Sequence, residues 1–154
     1  MLFYKRKAFT MIELVFVIVV LGILAAIAIP KFAATRDDAQ IAKGRSDVAA
    51  IRAAIVSERQ GRLMQGQSSY ISKLDQITAT SATSGTLFDD NDSNPANGSL
   101  LQYGIAAGSG NGKWAKTGAA AYTYTILGTA VTFTYVSNTG VFNCTGTYCD
   151  KLTN

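Results

Sequence analysis

Residues 5–30 read KRKAFTMIELVFVIVVLGILAAIAIP, and this stretch decides how the rest of the chain must be arranged. Three adjacent cations, Lys5, Arg6 and Lys7, end abruptly at Ala8. From Met11 to Ile29 the one ionisable side chain is Glu13. A membrane-crossing helix needs about 20 largely apolar residues at a rise of about 1.5 Å each, and the run from Met11 to Ile29 just reaches that length. Basic residues are retained on the cytoplasmic side of a membrane. The cluster before the span therefore predicts a single pass with the amino end inside and the bulk of the chain outside.

Glu13 is the anomaly in this run. A carboxylate in the apolar part of a bilayer costs on the order of 3 kcal/mol even on permissive insertion scales, and such a residue normally has a partner. Glu13 lies about one helical turn after Phe9. A cut between Ala8 and Phe9 would create an α-amino group able to serve as that partner, on this helix or on another.

The hexapeptide Phe9-Thr10-Met11-Ile12-Glu13-Leu14 follows a short basic leader and is followed by Gly22-Ile23-Leu24-Ala25-Ala26-Ile27-Ala28-Ile29-Pro30. This arrangement resembles the amino terminus of the type IV pilins and type II secretion pseudopilins. The resemblance implies a structural filament subunit with a pilin-like α+β fold, a type II secretion pseudopilin or closely related pilin being the preferred reading; no nucleophile and base can be paired among the residues, so no enzymatic activity is expected. It implies a prepilin peptidase that removes Met1 to Ala8 and N-methylates Phe9. It implies pairing of Glu13 with the Phe9 amine of a neighbouring subunit, an inner-membrane assembly platform as a further partner, and residence in the inner membrane before passage into a pilus or pseudopilus. One departure stands out. The family prefers Gly before the cut and this chain has Ala8, which is small enough that cleavage is still expected.

Two plainer readings compete. An ordinary secretory signal has an apolar core of about 7 to 15 residues ending in small residues, and Ala26-Ile27-Ala28 could imitate its cut. The longer run, the early Glu13 and the helix-compatible sequence beyond Pro30 argue against it. A membrane-anchored periplasmic domain that never polymerises is the other alternative, and an adhesive or DNA-uptake pilin is a third within the family.

The formal net charge of +4 comes from 14 basic and 10 acidic residues. Without Lys5, Arg6 and Lys7 the balance is 11 to 10, a net of +1. A nearly neutral body offers little warrant for nonspecific nucleic-acid binding, which needs clustered Lys and Arg. Lys43, Arg45, Arg52, Arg59 and Arg62 are interspersed with Asp37, Asp38, Asp47 and Glu58, the pattern of a solvated mixed-charge face. There is no histidine, which removes the commonest general base and metal ligand.

Beyond Pro30 the helix is expected to continue, softened there by one lost hydrogen bond, with a possible restart at Thr35. Ile41, Val48 and Ile55 recur every seven residues with Gly44 and Ile51 between them, an apolar stripe to be buried outside the membrane. The helix should stop near Gly61 to Gly66. From Phe9 to Arg62 it would span roughly 80 Å. The expected segments are thus a leader over 1–8, a transmembrane helix over 9–30, its amphipathic continuation over 31–64, a variable loop region over 65–99 and an antiparallel sheet over 100–154.

In the loop region Tyr70, Ile71, Leu74, Leu87 and Phe88 are candidate anchors. Leu100 to Tyr103 is a short strand candidate. Residues 122–126 and 131–136 alternate large apolar residues with threonine. A four-residue connection containing Gly128 and a short strand from Val141 to Cys144 complete a meander able to cover the helical stripe.

Cys144 and Cys149 are the two cysteines, and in an oxidising compartment they are expected to close a small terminal disulfide loop. Asp90, Asp92 and Asn94 alternate as in a calcium loop, but Pro95 and Gly98 do not complete an EF-hand. An Asx-rich turn is the preferred reading and calcium the candidate cofactor. Residues 107–114 imitate a phosphate loop with Ala107 and Trp114 at the wrong positions, so a flexible loop with Trp114 as an anchor is expected. Apart from that calcium candidate no cofactor is implied.

Overall fold

The structure, a computed structural model, describes residues 9–77, 79, 81–89 and 100–153. The chain divides into two compact units, Met1–Arg36 and Asp37–Asn154.

In the first unit the element is the beginning of α1, whose full bounds are Met11–Met64. Thr10 precedes it as the cap, its carbonyl accepting the first helical bond from Leu14 N–H at 3.2 Å. Every large apolar side chain from Met11 to Phe32 is exposed. Pro30 lies inside the helix without ending it. The restart expected at Thr35 is not there: its hydroxyl donates to the Lys31 carbonyl at 3.0 Å, one turn back, so Thr35 is an interior residue and not a cap.

In the second unit the continuation of α1 buries the predicted stripe. Val48, Ile51 and Ile55 are buried, Ile41 partly so, and Gly44 is buried beside them. The helix ends at a left-handed glycine, Gly66 with φ of 79°. Its N–H donates to the Leu63 carbonyl at 3.0 Å while Gln67 N–H reaches the Arg62 carbonyl at 2.9 Å. These two bonds satisfy end carbonyls that the helix leaves open, and the first requires a φ that costs glycine little.

After α1 come two short paired strands, β1 (Thr86–Leu87) and β2 (Ile105–Ala106). The strand expected at Leu100 to Tyr103 is instead a series of bends, with the strand a few residues later. Phe88 adopts a φ of 61° and its carbonyl accepts from Leu101 N–H at 3.1 Å. The buried Leu100 therefore anchors a reversal, and pairing begins only beyond Gly104.

The main sheet is an antiparallel meander of β3 (Trp114–Lys116), β4 (Ala121–Ile126), β5 (Thr129–Val136) and β6 (Val141–Thr145). The β4–β5 connection has two residues, Leu127 and Gly128, not the four expected. Both have positive φ, 52° and 74°, as a tight hairpin turn matched to strand twist demands. Tyr122 pairs with Phe133 and Tyr124 with Val131. Because side chains alternate between faces, these residues share one face, and it is the buried one.

That face, with Phe142 from β6 and Trp114 from β3, merges with Val48, Ile51 and Ile55 of α1 into one core. Phe88, Trp114, Phe133 and Phe142 form its aromatic centre, with Phe133 stacked on Phe142 at 5.2 Å and Phe88 edge-on to Trp114 at 5.4 Å. The phosphate-loop mimic is a loop up to Lys113, and Trp114, its expected anchor, opens β3 and is fully buried.

The carboxyl end is a short helix, α2 (Cys149–Thr153), which buries Leu152. Cys144 and Cys149 are joined as a disulfide. Arg45 on α1 donates to the Lys151 carbonyl at 3.0 Å, so the end of α2 is tied to the helix by a charge-assisted bond.

Candidate functional site at the start of the long helix

The first turn of α1 holds the residues singled out for processing and assembly, except Ala8, which lies outside the described residues. Phe9 is 81% exposed, and with Glu13, Leu14, Val17 and Ile18 it lines a shallow hollow of about 220 Å³. Phe9, just before the helix, and Glu13 in its first turn are therefore brought to one hollow.

Glu13 has a partner that the sequence reading passed over. Thr10 N–H donates to Glu13 Oε2 at 3.4 Å, and Glu13 N–H donates to Thr10 Oγ1 at 3.3 Å. This reciprocal pair is a capping box. The signal was legible as Thr10-Met11-Ile12-Glu13, a Thr followed three residues later by Glu before an apolar run. Each bond is long, yet together they hold the carboxylate against the helix start, where open N–H groups and the helix dipole favour negative charge. Glu13 is thereby held beside the Phe9–Thr10 peptide, one residue along the chain from the amine that a cut before Phe9 would create.

In the second unit the polar chemistry is structural. Asp75 and Lys116 are buried and paired at 2.8 Å. Tyr122 donates to the second oxygen of Asp75, and Lys116 also donates to the Ile77 carbonyl. Ile77 N–H donates to Asp75 at 2.9 Å. A buried charge pair is tolerated when its remaining donors and acceptors are satisfied, and here the network fastens the loop region to β3 and β4. No sequence rule could pair Asp75 with Lys116, because they lie far apart in the chain and meet only in the fold.

Asp47, assigned to the solvated face, is half-buried and accepts from Trp114 Nε1 at 2.9 Å and from Lys43 at 2.9 Å. Tyr124 donates to the Gln40 carbonyl at 2.7 Å. Burial, with the nearby Asp47 charge, pushes its phenol up to about 12. Arg62, assigned to the same solvated face, is buried against Glu58 at 3.2 Å.

The calcium candidates Asp90, Asp92 and Asn94 lie outside the described residues. Among the described residues no group of three or more His, Cys, Asp or Glu side chains could hold a metal ion.

An α+β subunit whose leading helix exposes an unbroken apolar surface, with one capped carboxylate in its first turn, has the architecture of a pilin. The prokaryotic N-terminal methylation motif matches residues 4–29. The type IV narrow pilus major component of Thermus thermophilus is 36% identical over 91 residues, covering 57% of this chain and 73% of that protein. Type II secretion system core protein G of Pseudomonas aeruginosa is 39% identical over 51 residues, 33% of this chain and 36% of that protein. No solved structure matches the chain. The chain belongs to the type IV pilin and type II pseudopilin family and is a structural subunit of that kind.

Proposed function

We propose that this chain is a prepilin of a type IV pilus. A prepilin peptidase removes Met1 to Ala8 and methylates the new amine of Phe9. The subunit waits in the inner membrane as a single pass with its amino end cytoplasmic and its second unit periplasmic. An inner-membrane platform then transfers it into the filament, where the apolar surface from Met11 to Ile29 leaves lipid for neighbouring helices. Glu13 pairs there with the Phe9 amine of an adjacent copy, offsetting the desolvation of both charges and setting axial register.

The observation that carries this reading is the position of Glu13. It is the one ionisable side chain between Met11 and Ile29, where every large apolar side chain is exposed, and it is held by Thr10 N–H, one residue after Phe9. The pilus is favoured over the secretion pseudopilus by the reach of the similarity. The match to the narrow-pilus component covers 91 residues, more than the 54 of α1, whereas the match to the secretion protein covers 51, a length α1 alone could supply. The secretion pseudopilus is the second reading, supported by that same 39% identity.

Intact mass of the protein isolated from cells is the direct test. The expected chain begins at Phe9 and carries one added methyl group. A chain that still begins at Met1 overturns the proposal. Deleting the coding sequence should abolish surface filaments while leaving exported proteins in the medium; the reverse outcome selects the secretion reading.

A further inference from the structure

The last turns of α1, the segment after it and the turn between β5 and β6 enclose an open cleft of about 620 Å³, lined by Arg59, Ser68, Ser69, Tyr70, Ser137 and Asn138 among others. No lining residue is acidic. The Arg59 guanidinium lies over the Tyr70 ring at 3.9 Å. Among the described residues it makes no hydrogen bond or ion pair. A guanidinium that lies over an aromatic ring can still use its N–H groups as a fork for a carboxylate.

Tyr70 is itself held firmly. Gly140 in the β5–β6 turn has φ of 70°, and a Cβ there would stand 2.1 Å from a Tyr70 ring carbon. The turn therefore packs directly on the ring, and the ring positions the guanidinium. This is a preorganised cation: little rotamer freedom remains to be lost when an anion arrives.

The lining also restricts what else the ligand can be. Apart from the Tyr70 ring, over which Arg59 lies, the cleft has polar lining residues. It offers serine hydroxyls and an asparagine amide, groups that both donate and accept. Its volume lies within the roughly 300–1,000 Å³ typical of small-ligand sites. We propose that this cleft binds an acidic saccharide, with a carboxylate on the Arg59 fork and ring hydroxyls on Ser68, Ser69, Ser137 and Asn138. The site is independent of which filament the subunit builds.

The test uses the full chain in detergent, titrated with glucuronic acid, glucose and inorganic phosphate and followed by calorimetry. Saturable binding of glucuronic acid is expected, with glucose and phosphate each weaker by about tenfold or more. Arg59→Lys keeps the charge but loses the planar fork, and should weaken glucuronic acid by about tenfold with an unchanged melting temperature. Absence of saturable glucuronic acid binding overturns the proposal. Equal binding of phosphate would define a bare anion site and equal binding of glucose a site blind to charge; either result also overturns it. The comparison of the three ligands on the unaltered chain stands even if the variant folds poorly.

Discussion

Glu13 carries two duties on one carboxylate. In a single subunit it closes the capping box with Thr10, and in the proposed filament it meets a neighbour's Phe9 amine. Glu13→Leu should insert into the membrane at least as readily, since it removes the costliest group from the span. Filaments should nevertheless be lost, as judged by electron microscopy of sheared cells; normal filaments from this variant would sink the proposed pairing. Tyr124 gives a second residue-scale prediction. Burial, with the Asp47 charge beside it, pushes its folded-state phenol up to about 12 from 10.0 for the free group. The folded state holds its proton after the unfolded state has released it. The stabilisation is therefore complete below about pH 10 and is lost as pH rises toward 12, at less than about 1.4 kcal/mol per pH unit. Urea midpoints of the full chain in detergent, compared with Tyr124→Phe, should show this slope in the parent and a flatter one in the variant.

Helix and sheet meet over a gap set by the smallest residue of the stripe. A Cβ built on Gly44 would lie 2.3 Å from a Tyr124 ring carbon and 2.8 Å from a Leu152 methyl. The absence of a side chain at Gly44 is what lets β4 and α2 close on α1 together. Gly44→Ala should gain a little helix propensity, about 1 kcal/mol. It should lose more to overpacking, typically about 1–3 kcal/mol. A lowered melting temperature is the expected outcome, and an unchanged or raised one would show that the ring moves aside freely. The periodic pattern of Ile41, Val48, Ile51 and Ile55 made this stripe visible in the sequence, and the Tyr-Thr alternation did the same for β4 and β5. The strand at Ile105–Ala106 was not visible, because two residues carry no periodicity and their pairing depends on the turn that Phe88 makes.

At the scale of the whole molecule the two units have opposite needs. The first has no core of its own, with every large apolar side chain from Met11 to Phe32 exposed. The second encloses a complete one. A fragment beginning at Asp37 should therefore remain folded and monomeric by sedimentation, with the disulfide intact, while the full chain requires detergent or assembly partners. A fragment that aggregates or unfolds would mean that the first unit is needed for the second to form. The amino-acid sequence by itself determined the apolar run, its lone acid, the capping signature and the strand alternation, because each depends on neighbours a few residues apart. The fold alone decided the Asp75–Lys116–Tyr122 network, the Trp114–Asp47 bond, the Gly44 contact and the cleft beneath Arg59. Those features depend on atoms from distant segments arriving within a few ångströms of one another, and no local pattern records which segments will meet.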